Sequence, residues 1–312
     1  MLLCALSLIV ATAVALAIGI NPPENESSGI FFTLKGVLID KGPLSAAVNV
    51  LCLLAAGGLM LALNKVFSYV RTVTHLFASV FFLLMLANPS GLVALNAGSL
   101  LALVTTVTIL PLFGSYQDKH SQRSIFLIFA MVSTGTMFHY GFLMLIPAFL
   151  LGFLYMGVLN LKGLLAMAFG LVTPFWIVMG LGIAGPEDFT VPSVHGLWAI
   201  TGEHHVGITL IVTAVTAILG IVLALMNLMA IMNYRMQTRV YNAFFVILFI
   251  VTVIALCIDY REATVFLPLL NLMVAVQVAH IHTLRTTLHN RYFFIAILAV
   301  SCLGCYCIHA FM

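Results

Sequence analysis

Carboxylate side chains collect in the first long loop of this chain, and their type and spacing suit proton transfer. The loop carries Glu24, Glu26 and Asp40, and Lys41 follows directly. A carboxylate in a loop can act as a general base, and a lysine beside it can hold a phosphate. We therefore predict that Glu24, Glu26 or Asp40 is catalytic and that Lys41 binds substrate.

A second loop and one later turn extend this set. Glu187, Asp188, Glu203 and His204 lie in the second loop, and Arg261 separates two apolar stretches further on. We predict substrate-binding roles for these five residues, with Arg261 as a second phosphate ligand. The alternative is that acidic residues gather on one side only because basic residues are held on the other.

Metal and redox chemistry find less support in the residue pattern. Glu203, His204 and His205 could supply metal ligands, but adjacent histidines on a helix point about 100° apart, so both rarely bind one ion. We therefore predict no metal site. Cys302 and Cys305 form a CxxC pair, which would suit a thiol oxidoreductase, although no second accessible pair is present. No Walker motif or dinucleotide fingerprint occurs, so we predict no cytosolic ATP-hydrolysing site. The cofactor is unknown, and no nucleic-acid partner is expected.

The scaffold that must position these residues is apolar almost throughout. Hydrophobic residues make up 63% of the chain and charged residues 7%, and the mean hydropathy is +1.21. A helix needs about 20 apolar residues to cross a bilayer core, and nearly the whole chain consists of such runs. We predict an all-α, polytopic transmembrane helical bundle with short loops, forming a single integral membrane domain over residues 1–312. The eleven predicted helices lie near 2–20, 44–63, 73–87, 92–113, 124–138, 141–159, 163–183, 206–227, 240–258, 264–283 and 293–311.

Four local features refine this topology. The run Asn88–Gly91 should break a helix because proline lacks an N–H and glycine is conformationally free. His139-Tyr140 must form a turn because residues 124–160 are too long for one crossing. The apolar but short segment 30–39 predicts an interfacial helix in the first loop. The segment Met1–Ile20 lacks a basic start and is interpreted as a retained helix rather than a signal peptide.

The charges orient the bundle, because basic residues favour the cytoplasmic side. With the N-terminus inside, nine basic residues fall in the inner gaps and three in the outer gaps, whereas eight acidic residues lie outside and one inside. The inner basic residues are Lys65, Arg71, Lys119, Arg123, Lys162, Arg235, Arg239, Arg285 and Arg291. Both acidic loops then face outward, which is where we expect a site.

The predicted mid-membrane positions contain amides but no ionisable Asp, Glu, Lys or Arg. Asn49, Asn271 and Gln277 lie inside predicted helices, where such side chains usually bond to neighbouring helices. Pumps and proton-coupled transporters usually keep a charged residue there. The pattern therefore argues against ion-coupled transport.

The middle of the chain resembles a known family over residues 60–185. The residues that carry the resemblance are Pro89, Ser115-Tyr116-Gln117, Arg123-Ser124-Ile125-Phe126, Phe138-His139-Tyr140-Gly141, Pro147 and Gly170-Leu171-Val172-Thr173-Pro174-Phe175. They are similar to an uncharacterised multi-pass inner-membrane family of Bacteroidota. The resemblance implies a bacterial inner-membrane location and a helical bundle of this size, and it brings no established activity.

A more distant likeness is to membrane glycosyltransferases that use polyprenyl-phosphate sugars. Those enzymes carry an acidic residue in the first outer loop beside an interfacial helix, and Glu24, Glu26 and Asp40 occupy that place here. The chain lacks their paired acidic motif and their large outer domain. The likeness implies a polyprenyl-phosphate or glycolipid substrate.

Three hypotheses follow. The first is an enzyme of envelope glycan or lipid assembly that binds a lipid phosphate from the outer side of the membrane. The second is a structural or accessory subunit whose apolar bundle contacts other membrane proteins as well as the lipid bilayer. The third is a facilitator or lipid transporter that uses the helices broken by glycine and proline.

Overall fold

The protein is an all-α bundle, as the sequence predicts. The computed structural model describes residues 1–21, 29–32, 42–70, 75–191, 196, 207–231, 235–284 and 288–311. Within these ranges there are twelve α-helices, two short 3₁₀ helices at Tyr140–Met144 and Pro186–Asp188, and no β-strand. The α-helices are α1 Leu2–Ile18, α2 Pro43–Phe67, α3 Leu76–Leu86, α4 Ser90–Val93, α5 Ala97–Gly114, α6 Gln122–Phe138, α7 Leu145–Tyr155, α8 Leu161–Gly180, α9 Ile208–Ala230, α10 Met236–Ile258, α11 Ala263–Leu284 and α12 Leu288–Phe311.

A proline and two asparagines determine where three of the helices begin. Pro43 begins α2 at a position where the missing N–H costs nothing. Asn96 begins α5, because its side-chain oxygen accepts a 2.9 Å hydrogen bond from the Ser99 N–H. Asn160 begins α8 in the same way, through a 2.7 Å bond from the Gly163 N–H.

Six helices are long and apolar enough to cross a membrane by length and composition: α2, α5, α8, most of α9, α10 and most of α11. Four shorter apolar segments accompany them at Leu2–Ile18, Leu76–Leu86, Tyr140–Tyr155 and Phe293–Ile308. A helix of about 20 apolar residues matches the hydrocarbon thickness of a bilayer. These helices support the interpretation as a membrane protein.

Helix α11 is the centre of the bundle and α8 lies at its edge. Both have a mean hydropathy of 1.8 in their most apolar stretch, yet 94% of that stretch is buried in α11 and 11% in α8. Helix α11 packs against α3, α5, α9 and α10, whereas α8 packs chiefly on α6. Most of the surface of α8 is therefore left uncovered by the rest of the bundle.

The two ends of the bundle differ in charge. We call the end with residues 136–141, 186–190 and 259–265 the His139 end, and the end with residues 64–70, 113–123, 156–163 and 235–241 the Lys119 end. Among the described loop and helix-end side chains, the Lys119 end carries one acid, Asp118, and six lysines and arginines: Lys65, Lys119, Arg123, Lys162, Arg235 and Arg239. The His139 end carries one arginine, Arg261, no lysine, and four acids: Glu187, Asp188, Asp259 and Glu262. The segregation follows the sequence prediction.

Helix boundaries differ from the predicted ones where turns are stabilised by side chains. The expected break after Asn88 is present but extends to Asn96, because that residue caps α5 and so delays its start. The turn expected at His139-Tyr140 is also present, and it continues as a 3₁₀ helix to Met144. Residues 30–32 of the segment expected to form an interfacial helix are not helical, and the remainder of that segment lies outside the described residues.

Candidate functional site at the His139 end

An imidazole and a carboxylate meet at the His139 end. Nε2 of His139 lies 3.4 Å from Oε2 of Glu262, which is an ion-pair distance somewhat longer than a hydrogen bond. The side chains are 3% and 13% exposed. Ionisable groups covered by an apolar bundle are costly unless they are paired, and in membrane proteins they often mark function.

The turn after α6 fixes the orientation of His139. The His139 N–H bonds to the Gly135 carbonyl at 3.0 Å and closes the end of α6. Its Nδ1 accepts a 2.9 Å hydrogen bond from the Gly141 N–H. Because Nδ1 is an acceptor in this arrangement, the neutral ring carries its proton on Nε2, the atom that faces Glu262.

Glu262 stands at the start of the central helix. Its carbonyl accepts hydrogen bonds from the Val265 and Phe266 N–H groups at 2.9 and 3.2 Å, the first bonds of α11. The N-terminus of a helix carries a partial positive charge, so it favours a carboxylate at this position. The Glu262 carboxylate therefore lies within ion-pair distance of His139, on the residue that directly precedes α11.

A second helix N-terminus lies directly beside the first. Gly98, in the first turn of α5, packs on α11 so tightly that a Cβ would lie 2.6 Å from the Val265 carbonyl oxygen and 2.9 Å from that of Thr264. The N-termini of α5 and α11 thus meet at the same end of the bundle. The N-terminus of a helix is a common binding position for anions such as a phosphate.

The non-helical segment before α5 is held by asparagines. The Gly91 carbonyl accepts hydrogen bonds from the side-chain amides of Asn49 at 2.9 Å and Asn96 at 3.0 Å. The Ser90 hydroxyl donates to Asn88 Oδ1 at 2.8 Å. Irregular backbone inside an apolar bundle must find such partners, so these amides stabilise the break that positions the start of α5.

The tetrapeptide Gly29–Phe32, which we call the strap, anchors the first loop next to His139. The Ile30 N–H bonds to the Thr136 carbonyl at 3.1 Å, and the Phe32 N–H bonds to the Met137 carbonyl at 3.0 Å. The Thr190 hydroxyl donates to the Gly29 carbonyl at 2.6 Å, and the Tyr140 hydroxyl donates to the Thr190 carbonyl. The strap therefore joins the end of α6 to the loop after α8.

Three of the nine residues predicted to form the site lie in the described part of the chain. Arg261 directly precedes Glu262 and is exposed. Glu187 and Asp188 are exposed in the second 3₁₀ helix, where Asp188 Oδ2 accepts a 2.8 Å hydrogen bond from the Gly185 N–H. Six predicted site residues lie outside the described residues: Glu24, Glu26, Asp40, Lys41, Glu203 and His204.

Sequence reasoning missed His139 as a site residue. It placed His139 in a turn and counted Glu262 only among the outer acidic residues. The two residues are 123 positions apart, and nothing in the local sequence pattern links them. The one available signal was that both are ionisable and both directly adjoin predicted helices at the same end. Within the described residues, no group of three or more His, Cys, Asp or Glu side chains could hold a metal ion.

Comparison of the chain with protein-family models, with curated proteins and with solved structures finds no match. The arrangement of His139, Glu262 and Arg261 is therefore interpreted from its own chemistry. A carboxylate oriented by an imidazole can accept a proton from a hydroxyl group, and a nearby guanidinium can bind a phosphate.

Proposed function

We propose that the protein is a multi-pass protein of the bacterial inner membrane that acts at its periplasmic face on a lipid-phosphate-linked envelope glycan. The observation that carries this proposal is the covered His139–Glu262 pair beside Arg261, at the end where two helix N-termini meet. A lipid phosphate would reach this site from the bilayer, with its phosphate near Arg261.

The proposed reaction is a glycosyl transfer. Glu262 takes the proton of an acceptor hydroxyl, with His139 holding the carboxylate in place. The acceptor oxygen forms a bond to the anomeric carbon, and the bond from that carbon to the phosphate oxygen breaks. The electron pair of the broken bond leaves with the lipid phosphate, whose charge Arg261 stabilises.

The first-loop acids remain part of the proposal. The sequence predicts Glu24, Glu26 or Asp40 as the base. With Glu262 taking the acceptor proton, we propose that these three carboxylates orient the acceptor hydroxyl and that Lys41 holds the phosphate together with Arg261. The strap at Gly29–Phe32 anchors this loop beside His139, which supports assigning the loop and the His139–Glu262 pair to one site. Glu187, Asp188, Glu203 and His204 are proposed as accessory contacts.

The orientation of the chain is tested by cysteine labelling. In a background from which the six native cysteines have been replaced, Glu187→Cys and Lys119→Cys each place one thiol at an exposed position of opposite ends. A membrane-impermeant maleimide applied to spheroplasts should label Glu187→Cys at once and Lys119→Cys only after permeabilisation. The reverse pattern contradicts a periplasmic His139 end.

The activity is tested by native mass spectrometry of the protein purified in nanodiscs. We expect a bound glycosylated lipid phosphate. Glu262→Gln should retain more of this lipid, because that variant binds the lipid but cannot transfer its sugar. Arg261→Gln should lose the lipid, and Asp118→Asn, at the opposite end, is the matched control and should behave as the unsubstituted chain.

Substitution of all three first-loop acids by their amides should also enrich the loaded lipid without lowering the amount of protein in the membrane. A bundle that carries no lipid phosphate and instead retains a second protein in fixed ratio would overturn the enzymatic proposal and favour an accessory subunit.

A further inference from the structure

Three amide side chains form a fully buried cluster near the Lys119 end, which we call the amide node. Asn227 of α9, Asn242 of α10 and Gln277 of α11 are each 0% exposed. The Asn227 Nδ2 donates to Asn242 Oδ1 at 3.0 Å and to Gln277 Oε1 at 2.6 Å. The node is therefore a direct polar connection among three helices.

The node lies inside the bundle rather than at its surface. Asn227 is three residues before the end of α9, Asn242 six residues after the start of α10, and Gln277 seven residues before the end of α11. At a rise of about 1.5 Å per residue, these positions lie about 5–10 Å inside the Lys119 end. Both α9 and α10 pack on α11, so the node sits where these three helices approach each other.

The two hydrogen bonds leave three polar groups of the node without a partner. Asn227 Oδ1, Asn242 Nδ2 and Gln277 Nε2 are buried and make no hydrogen bond to any described residue. A buried polar group without a partner costs its full desolvation penalty, and such groups in proteins usually contact an ordered water or an ion.

Exchanging the oxygen and nitrogen positions of all three amides does not remove the deficit. Asn227 Oδ1 would then accept from Asn242 and Gln277, and the Asn227 amide N–H groups and two carbonyl oxygens would be left over. Amide oxygen and nitrogen occupy the same positions in the original and in the exchanged orientations. In both orientations, three polar groups of the node therefore need a further partner.

We propose that the amide node binds one internal water molecule. Its oxygen accepts hydrogen bonds from Asn242 Nδ2 and Gln277 Nε2, and it donates to Asn227 Oδ1. Two donors and one acceptor match the bonding capacity of water, and buried waters typically make about three such bonds. In the exchanged arrangement the same water donates to two carbonyls and accepts from one amide, so it fits both.

An anion is the alternative occupant that the surroundings offer. Arg239 lies three residues before Asn242 on α10, and its Nε is also buried without a hydrogen-bond partner among the described residues. A halide, however, has no hydrogen to donate to Asn227 Oδ1. In the amide orientations of the structure, that oxygen would remain without a partner. Water satisfies all three groups.

The test is a structure of the full chain in nanodiscs or crystals, detailed enough to show ordered water, with and without bromide in place of chloride. We expect one peak within about 2.7–3.2 Å of all three groups, unchanged by bromide. The absence of a peak, or a peak with anomalous signal in bromide, overturns the proposal.

A second measurement uses the sign of a change in melting temperature. The triple variant Asn227→Leu, Asn242→Leu, Gln277→Met should melt lower than the unsubstituted chain if water satisfies the node, because satisfied hydrogen bonds are lost. If the node is dry, the variant should melt higher, since apolar groups replace polar groups without partners.

Thr252→Val in α10 is the control, because Thr252 is equally buried and its hydroxyl bonds only within its own helix, to the Leu248 carbonyl at 2.7 Å. Should the triple variant fail to fold, Gln277→Met alone removes one donor to the water and also the Oε1 that accepts from Asn227 Nδ2, so it should melt lower than the unsubstituted chain. A rise in melting temperature for that single variant would overturn the proposal.

Discussion

Gly98 of α5 lies against Val265 of α11 at a distance that only glycine permits. A Cβ on Gly98 would be 2.6 Å from the Val265 carbonyl oxygen and 3.0 Å from Cγ of Pro268. This contact brings the N-terminus of α5 to that of the central helix, directly after Glu262. The geometry of the candidate site therefore depends on the absence of a side chain at position 98.

Gly98→Ala should destabilise the protein by about 1–3 kcal/mol, because the backbone of α11 must move to admit the methyl group. The measurement is thermal or denaturant unfolding in detergent. Gly58→Ala in α2 is the matched control, since no atom outside its own helix lies within 4 Å of the added Cβ. That control should be neutral or stabilise by up to about 1 kcal/mol; equal losses in both variants would contradict the close contact.

Gly29→Ala should detach the strap from α6. The added Cβ would overlap the backbone of Met137 and Phe138, and a cost of about 1–2 kcal/mol would lower the equilibrium constant for attachment of the strap by a factor of about 5–30. The readout is the rate of cross-linking between Phe31→Cys and Phe175→Cys, whose native rings are 5.6 Å apart.

The control for the strap is Gly180→Ala at the end of α8, where no atom lies within 4 Å of the added Cβ. It should leave the cross-linking rate unchanged. A strap variant that cross-links as fast as this control would show that the strap tolerates the methyl group.

Asn49→Leu should destabilise the helix break by about 1–3 kcal/mol, because it removes the donors to the Gly91 and Leu92 carbonyls at 2.9 and 3.3 Å. Thr105→Val is the control: Thr105 is equally buried, and its hydroxyl bonds to the Leu101 carbonyl of its own helix. Unfolding in denaturant compares the two variants. Equal stability of both would mean that Asn96 alone satisfies the break.

Tyr241→Phe should cost about 0.5–1.5 kcal/mol. The Tyr241 hydroxyl donates to the Phe113 carbonyl at 3.1 Å and accepts from Gln237 Nε2 at 2.7 Å, and both bonds are lost. Tyr241→Leu should cost more, because its ring is stacked on that of Phe113 with centroids 4.1 Å apart. The free energies of unfolding of both variants separate the contribution of the hydroxyl from that of the ring, and Tyr155→Phe, at an exposed position, is the control. Equal losses in the two Tyr241 variants would contradict a contribution from stacking.

The helices could be predicted from the sequence because apolar length and helix-breaking residues are local properties. Hydropathy predicted eleven of the twelve α-helices in the described residues, all except the four-residue α4, and the proline and glycine near Asn88 predicted the break. The central position of α11 could not be predicted in this way, since its hydropathy equals that of α8 at the edge. What distinguishes the two helices is packing, to which distant parts of the chain contribute.

The clustering of polar side chains was less predictable than the helices, because it also depends on packing between distant parts of the chain. Gln277 was recognised as a polar residue inside a helix, but Asn227 and Asn242 lie near helix ends, where polar residues are ordinary. Their convergence depends on how α9 and α10 pack on α11. The first-loop acids Glu24, Glu26 and Asp40 lie outside the described residues, and their catalytic role stays a prediction.

The unequal burial of α8 and α11 also determines where the sequence of this protein is free to drift. On α8 most positions require only an apolar residue of any shape, so substitutions there should accumulate with little effect on folding. On α11 nearly every side chain must fit neighbours from four other helices. Two copies of this protein that diverged long ago should therefore remain recognisable over residues 263–282 after their α8 segments have lost all resemblance.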